Sequence, residues 1–193
     1  GLYLRHASRS VLMNIINAIK TGDVNQAPRL EAMLSHTIRT NKEREMAYVR
    51  QATHDALTGC KNRRAFDNDV GELLAAHQPF VLALIDIDNF KSINDTWGHL
   101  SGDIVLRNVA REGIQIMQPH HVSVYRYGGE EFAVIFPAEL MNSANALLEA
   151  WRTTVEKRTW REENLRVTFS AGVGEWHFEP LEQFIGNVDE ALY

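Results

Sequence analysis

Val122-Ser123-Val124-Tyr125-Arg126-Tyr127, then Gly128-Gly129, then Glu130-Glu131-Phe132-Ala133-Val134-Ile135-Phe136, is the stretch that decides the fold. Two runs of strand-forming residues on either side of a glycine pair predict a β-hairpin, with a two-residue turn whose positive φ glycine supplies. Upstream, Phe80-Val81-Leu82-Ala83-Leu84-Ile85 is a continuous apolar run of strand length. Such a run suits a strand covered on both faces, and Asp86-Ile87-Asp88 follows at its end. Downstream, Val167, Phe169, Ala171 and Val173 alternate as a half-buried strand. Helical periodicity fills the spaces between. Phe66, Val70, Leu73 and Leu74 share a face before Pro79, and 102–117 places Val105, Val109 and Ile116 on one side before Pro119. From about Ser143 to Lys157, Leu147, Leu148, Trp151 and Val155 point one way, and Pro180 opens a last helix with Leu181, Phe184, Ile185, Val188 and Leu192 inward. Helices alternate with strands while one strand pair is antiparallel. The fold class that follows is an α/β sandwich with a central sheet of mixed direction flanked by helices.

The chain has 193 residues with 45% hydrophobic and 23% charged, a composition that can bury one sizeable core. Formal charge is −5 and the isoelectric point about 5.9, which excludes nucleic-acid binding by bulk positive charge. One cysteine, Cys60, can form neither an internal disulfide nor a cysteine zinc site, so a reducing compartment fits. No apolar run approaches the roughly 18 residues of a membrane span. Charge divides the chain: 1–54 carries eight Lys/Arg against four Asp/Glu, and 55–193 carries twelve against twenty-one. The basic leader reads as a short helix over 10–20 closed by Thr21-Gly22-Asp23, then a longer helix from Pro28 to about Gln51. Leu30, Met33, Leu34, Ile38, Met46 and Val49 form a narrow apolar stripe on it, which suits a two-helix seam. The expected organisation is a helical stalk over 1–52 and a main domain over 53–193. The missing initial Met and the stop inside a periodic helix mark an excised piece of a longer protein.

Asp86 and Asp88 sit where a buried strand ends, and Glu130 and Glu131 at a hairpin tip. If the two strands are neighbours, these carboxylates converge on one sheet edge and repel unless a cation lies between them. Hard Mg²⁺ or Mn²⁺ is the natural partner, and its open coordination positions suit phosphate oxygens. Lys91 is near enough to meet an anionic phosphate, and Gly128 and Gly129 permit close approach of a phosphate to the backbone. Asn94 and Asp103 stand near a helix start, where capping is the plain alternative. A carboxylate also accepts the adjacent N1–H and N2–H₂ donors of guanine, a pair adenine lacks.

Four segments together are more specific than any one. Asp55-Ala56-Leu57-Thr58-Gly59-Cys60-Lys61-Asn62-Arg63-Arg64, Ile85-Asp86-Ile87-Asp88-Asn89-Phe90-Lys91-Ser92-Ile93-Asn94-Asp95, Gly98-His99-Leu100-Ser101-Gly102-Asp103 and Arg126-Tyr127-Gly128-Gly129-Glu130-Glu131-Phe132 closely resemble, in order and spacing, the bacterial GGDEF family of diguanylate cyclases. The resemblance implies a fold similar to nucleotide cyclases and the polymerase palm. It implies condensation of two GTP into cyclic di-GMP and two pyrophosphates, across a homodimer of facing half-sites. It casts Asp86, the Ile87 carbonyl and Glu130 as ligands of Mg²⁺ or Mn²⁺, two ions per active site, with Glu130 also the candidate base for the 3′-hydroxyl. Lys91 becomes a phosphate contact, Asn94 and Asp103 the guanine readers with Leu106 nearby and His99 close to the substrate, and Gly128 and Gly129 the turn under the phosphates.

The departures carry their own expectations. Glu130 stands where the family name has Asp, and Cys60 where Leu is usual. The product-inhibition motif Arg-x-x-Asp has Pro119 and Val122 at its two positions, so feedback through that site is not expected. A basic Lys-x-x-Gly-Arg-Asn-like segment usually follows the position of Tyr193, and a chain without it is expected to bind GTP weakly. Residues 11–54 match either a plain stalk or a HAMP-like relay. The relay reading implies a cytoplasmic domain of an inner-membrane parent, anchored through an N-terminal part outside this sequence. Rival functions are a catalytically silent GTP-sensing module, disfavoured by the intact motifs, and a cyclase making a monomeric or adenine-containing cyclic nucleotide, disfavoured by Asp103.

Overall fold

In the computed structural model, which describes residues 11–17, 20–22 and 27–192, the chain divides into two units, Gly1–Ala52 and Thr53–Tyr193. In the first, residues 11–17 are helical, and helix α1 runs Ala27–Thr53. Of the expected leader helix over 10–20 and its closing Thr21-Gly22-Asp23, positions 10, 18, 19 and 23 lie outside the described residues. Leu34, Ile38, Met46, Tyr48 and Val49 of α1 are all exposed.

The second unit is built on strand β1, Phe80–Ile87. Side chains alternate across a strand. Val81, Ala83, Ile85 and Ile87 therefore enter one core, while Phe80, Leu82 and Leu84 enter another. That two-sided burial is why the run is continuously apolar. Strands β2 (Val124–Arg126), β3 (Glu131–Pro137) and β4 (Phe169–Glu175) complete a four-stranded sheet ordered β2-β3-β1-β4. The central strand β1 pairs antiparallel with both β3 and β4, and β2 pairs antiparallel with β3. β1 and β2 run one way and β3 and β4 the other, so every ladder is antiparallel and the sheet is a four-stranded antiparallel one flanked by helices. Two interleaved crossovers cause this, the arrangement of a split βαβ, ferredoxin-like sheet.

Helix α2 (Arg63–Ala75) and helix α6 (Leu181–Glu190) cover one face through Phe66, Val70, Phe184 and Val188. Helices α4 (His99–Met117) and α5 (Met141–Glu156) cover the other through Val105, Val109, Leu148 and Trp151. Trp151 is fully buried, and its indole N–H donates to the Val109 carbonyl at 2.9 Å.

Two local expectations are corrected. Helix α3, Phe90–Trp97, is an element the periodicity did not show, and α4 starts at His99 rather than 102. Phe90, Ile93 and Trp97 do form an apolar stripe against the core, but α3 is only eight residues long, too short for the period to stand out. The hairpin is also wider than a two-residue turn. Its strands end at Arg126 and begin at Glu131, and neither Gly128 nor Gly129 belongs to the positive-φ glycines. The Tyr127 and Gly128 N–H groups both donate to the Glu131 carbonyl, at 2.8 and 3.2 Å, which closes a broader loop.

Candidate active site

The register of β1 builds the first half of the site. Asp86 lies opposite Glu131 of β3 and Ser170 of β4, inside the strand rather than after it. The Ile87 N–H donates to the Glu130 carbonyl at 3.4 Å, which brings the hairpin tip to the end of β1. Burial pushes the Asp86 carboxyl up to about 6, helped by the negative charges of Glu130, Glu131, Asp88 and Asp189. Glu131 faces Asp86 across the ladder and Glu130 adjoins the end of β1, and Asp189, from α6, is a further negative charge near Asp86 to which the sequence did not point. Asp88 is committed elsewhere. Its carboxylate accepts from the Thr168 hydroxyl at 2.5 Å and the Ser170 hydroxyl at 2.7 Å, so it fastens the end of β1 to β4.

Crowded carboxylates around a half-buried Asp86 are a donor set that fits a hard divalent cation, since oxygen ligands and unbalanced negative charge are what such an ion takes. Among the described residues no group of three His, Cys, Asp or Glu side chains is arranged to hold a metal. The expected set is smaller, two carboxylates and the Ile87 carbonyl, and a magnesium ion usually keeps several positions for water and phosphate.

The signature loop is held by residues outside the predicted site. Arg126 donates from Nη1 to both Asp55 carboxylate oxygens, at 3.0 and 3.2 Å, and from Nη2 and Nε to the Gly129 carbonyl, at 2.8 and 3.2 Å. Asp55 also accepts from the Thr58 amide at 2.9 Å and hydroxyl at 2.7 Å. Burial alone would raise the Asp55 carboxyl, but Thr58 and Arg126 outweigh it and hold it below its ordinary value. Arg63 stacks its guanidinium 3.8 Å from the centroid of the Tyr127 ring, just before Gly128. Glu131 folds back over the loop, so that a Cβ on Gly128 would meet Glu131 Oε2 at 2.2 Å. Asp55 and Arg63 were legible as motif residues, but not as the clamp on Gly129 and Tyr127.

The second half of the site is the corner between α3 and α4. Gly98, at φ 84°, ends one helix and starts the other, a conformation that favours glycine. Gly102 then allows a close approach: a Cβ there would lie 2.0 Å from Asn94 Oδ1. Asn94 thus rests on the backbone of α4 beside Asp103, and both side chains are half-buried. His99 is exposed on the same corner, and Lys91 is exposed at the other end of α3, just past β1. Leu106 is buried in the core under α4, so packing accounts for it. The predicted residues therefore fall into two groups, Asp86, Ile87, Gly128, Gly129 and Glu130 at the sheet edge, and Asn94, His99 and Asp103 at the helix corner, with Lys91 at the start of α3 between them in sequence.

The chain is similar to known proteins. Residues 52–193 match the family described as "Diguanylate cyclase, GGDEF domain". Diguanylate cyclase VdcA of Vibrio cholerae is 39% identical over 158 residues, which is 79% of this chain and 46% of that protein. The chain spans about half the length of the curated relatives it matches. The crystal structure of the coiled coil and GGDEF domain of DgcB from Caulobacter crescentus, in complex with c-di-GMP, is similar at TM-score 0.70 and 34% identity, covering 86% of this chain and 91% of that one. Diguanylate cyclase SiaD from Pseudomonas aeruginosa, solved with its activator SiaC, is similar at TM-score 0.70 and 30% identity, covering 99% of this chain and 77% of that one.

Proposed function

The chain belongs to the GGDEF diguanylate cyclase family, and on that premise we propose that it condenses two GTP into cyclic di-GMP and two pyrophosphates. The observation that carries the proposal is the β1–β3 register, which sets Asp86 beside the Glu130-Glu131 tip at one sheet edge.

Asp86, the Ile87 carbonyl and Glu130 would hold divalent ions, Mg²⁺ or Mn²⁺, two per active site. When bound, such ions supply neutralisation of the charge that develops on phosphate. Lys91 adds a fixed positive charge toward the phosphates. Gly128 and Gly129 leave the loop backbone uncovered for them. Asn94 and Asp103 bind the guanine, Asp103 by accepting from N1–H and N2–H₂ together, and His99 flanks the substrate. Leu106 supports that corner from the core. Glu130 takes the 3′-hydroxyl proton. In-line displacement at phosphorus is mostly positioning and charge neutralisation, which is what these side chains provide.

One domain binds one GTP, so turnover needs two domains facing each other in a homodimer. The exposed Leu34, Ile38, Met46 and Val49 on α1 support a dimerising stalk. Pro119 and Val122 cannot supply an Arg-x-x-Asp product site, which supports turnover without that feedback. The organisation is a stalk or HAMP-like relay over 1–52 and the catalytic domain over 53–193; the relay alternative brings with it a cytoplasmic placement under an inner-membrane parent. Among the described residues no helix is long and apolar enough to cross a membrane. The test is incubation of the purified protein with GTP, with ATP and with Mg²⁺, followed by separation of products. Cyclic di-GMP from GTP alone is expected. A dimer that makes none overturns the enzyme reading.

A further inference from the structure

Between α5 and β4 the chain runs through 157–168 without regular structure. This strap is not loose. Leu165 and Val167 are buried in the same core as α4. It is tied to α4 at two points: Arg158 Nη1 lies 2.6 Å from Glu112 Oε1, and the Ser101 hydroxyl donates to Glu162 Oε1 at 2.8 Å. The second tie reaches the first turn of α4. That turn has no side-chain cap, because its N-cap is Gly98. Ser101, Gly102 and Asp103 follow one another there, with Asn94 packed onto Gly102. A fixed Ser101 therefore fixes the backbone from which Asp103 projects and against which Asn94 rests.

We propose that Glu162, through Ser101, is a positioning residue for base recognition: it holds the first turn of α4 in the orientation in which Asp103 and Asn94 meet guanine. This rests on the reading of Asn94 and Asp103 as guanine readers. A carboxylate accepting two parallel donors discriminates bases only while its orientation is held. A hydrogen bond to a charged acceptor is strong enough to supply that restraint.

The experiment measures binding of a non-hydrolysable GTP analogue and of its ATP counterpart to the whole protein in Mg²⁺, with GTP turnover alongside. Glu162→Ala and Ser101→Ala are each expected to weaken the guanine analogue roughly five- to tenfold, the adenine analogue by less than about twofold, and to raise KM with kcat nearly unchanged. The double variant is expected to be no worse than either single one, because both remove the same contact. Glu162→Gln, whose amide oxygen still accepts from Ser101, is expected to bind like the parent and also serves if the alanine variant does not fold. Equal weakening of both analogues overturns the proposal, as does unchanged guanine affinity in Ser101→Ala and Glu162→Ala. Asp103→Ala separates the two failures. If it leaves the guanine preference intact, the guanine reading itself falls; if it abolishes that preference while Glu162→Ala does nothing, only the role of the strap falls.

Discussion

The carboxylate edge and the α3–α4 corner reach rigidity by different routes. At the edge, position comes from backbone pairing: Asp86 opposite Glu131, Ile87 bonded to Glu130, and Arg126 gripping Asp55 and Gly129. At the corner there is no ladder. Two short contacts set it, Asn94 on Gly102 and Ser101 on Glu162. The edge stores charge repulsion and the corner stores none of comparable strength. Substitutions at the edge should therefore alter chemistry, whereas those at the corner should alter recognition.

The largest effect expected from that contrast is at Glu130 and Asp86. Glu130→Gln and Asp86→Asn should each lower turnover by roughly 100-fold or more, the scale for removing charge stabilisation at a reacting group. Thermal unfolding without divalent ions should be no lower than in the parent, since each change removes a like charge. A variant with parental turnover would break the assignment of the edge to chemistry.

Arg126→Ala comes next. It leaves Asp55 without its guanidinium and frees the Gly129 carbonyl, at a cost of about 2 kcal/mol in denaturant unfolding. Turnover should fall by about tenfold, because the loop is released while the carboxylates remain. An Arg126→Ala variant with lower stability but full turnover would show that the clamp serves the fold alone.

Gly102→Ala should act at the corner. The new methyl meets the far end of the Asn94 side chain, which can swing away, so unfolding free energy should change by less than about 1 kcal/mol. The displaced Asn94 should raise KM for GTP several-fold with little change in kcat. A change confined to kcat would break the division between the two regions.

The smallest effect concerns pH. Asp55 is held below its ordinary value in the fold, so its contribution to stability is present above the unfolded value of about 4 and is lost as pH falls through the lower folded value. Acid unfolding of Asp55→Asn should accordingly be less steep than that of the parent over that window. Equal steepness would mean that Asp55 does not differ between the folded and unfolded chain.

Much of this could be read from the residues in order. The unbroken apolar run of β1 announces a strand buried on both faces, and the four motifs contain the expected residues of both regions but not Asp189 of α6. Helix α3 escaped because its stripe, Phe90, Ile93 and Trp97, spans only eight residues, fewer than a periodicity reading needs. The hairpin tip was read as a tight glycine turn, since glycine pairs usually make one. The actual loop is shaped by Arg126 reaching Asp55 across 71 positions and by Glu131 lying over Gly128.

The alternation of strands and helices, the family and the identity of the candidate groups can all be read along the chain. Those depend on local periodicity and on residue types at short spacing. Only the tertiary structure decided which carboxylates face Asp86, that Asp88 is occupied by Thr168 and Ser170, and that Glu162 meets Ser101 from 61 positions away. These are contacts between segments that the chain brings together only after the sheet has closed. Their geometry follows from the register of β1 and the path of the strap, and neither is encoded in any short stretch.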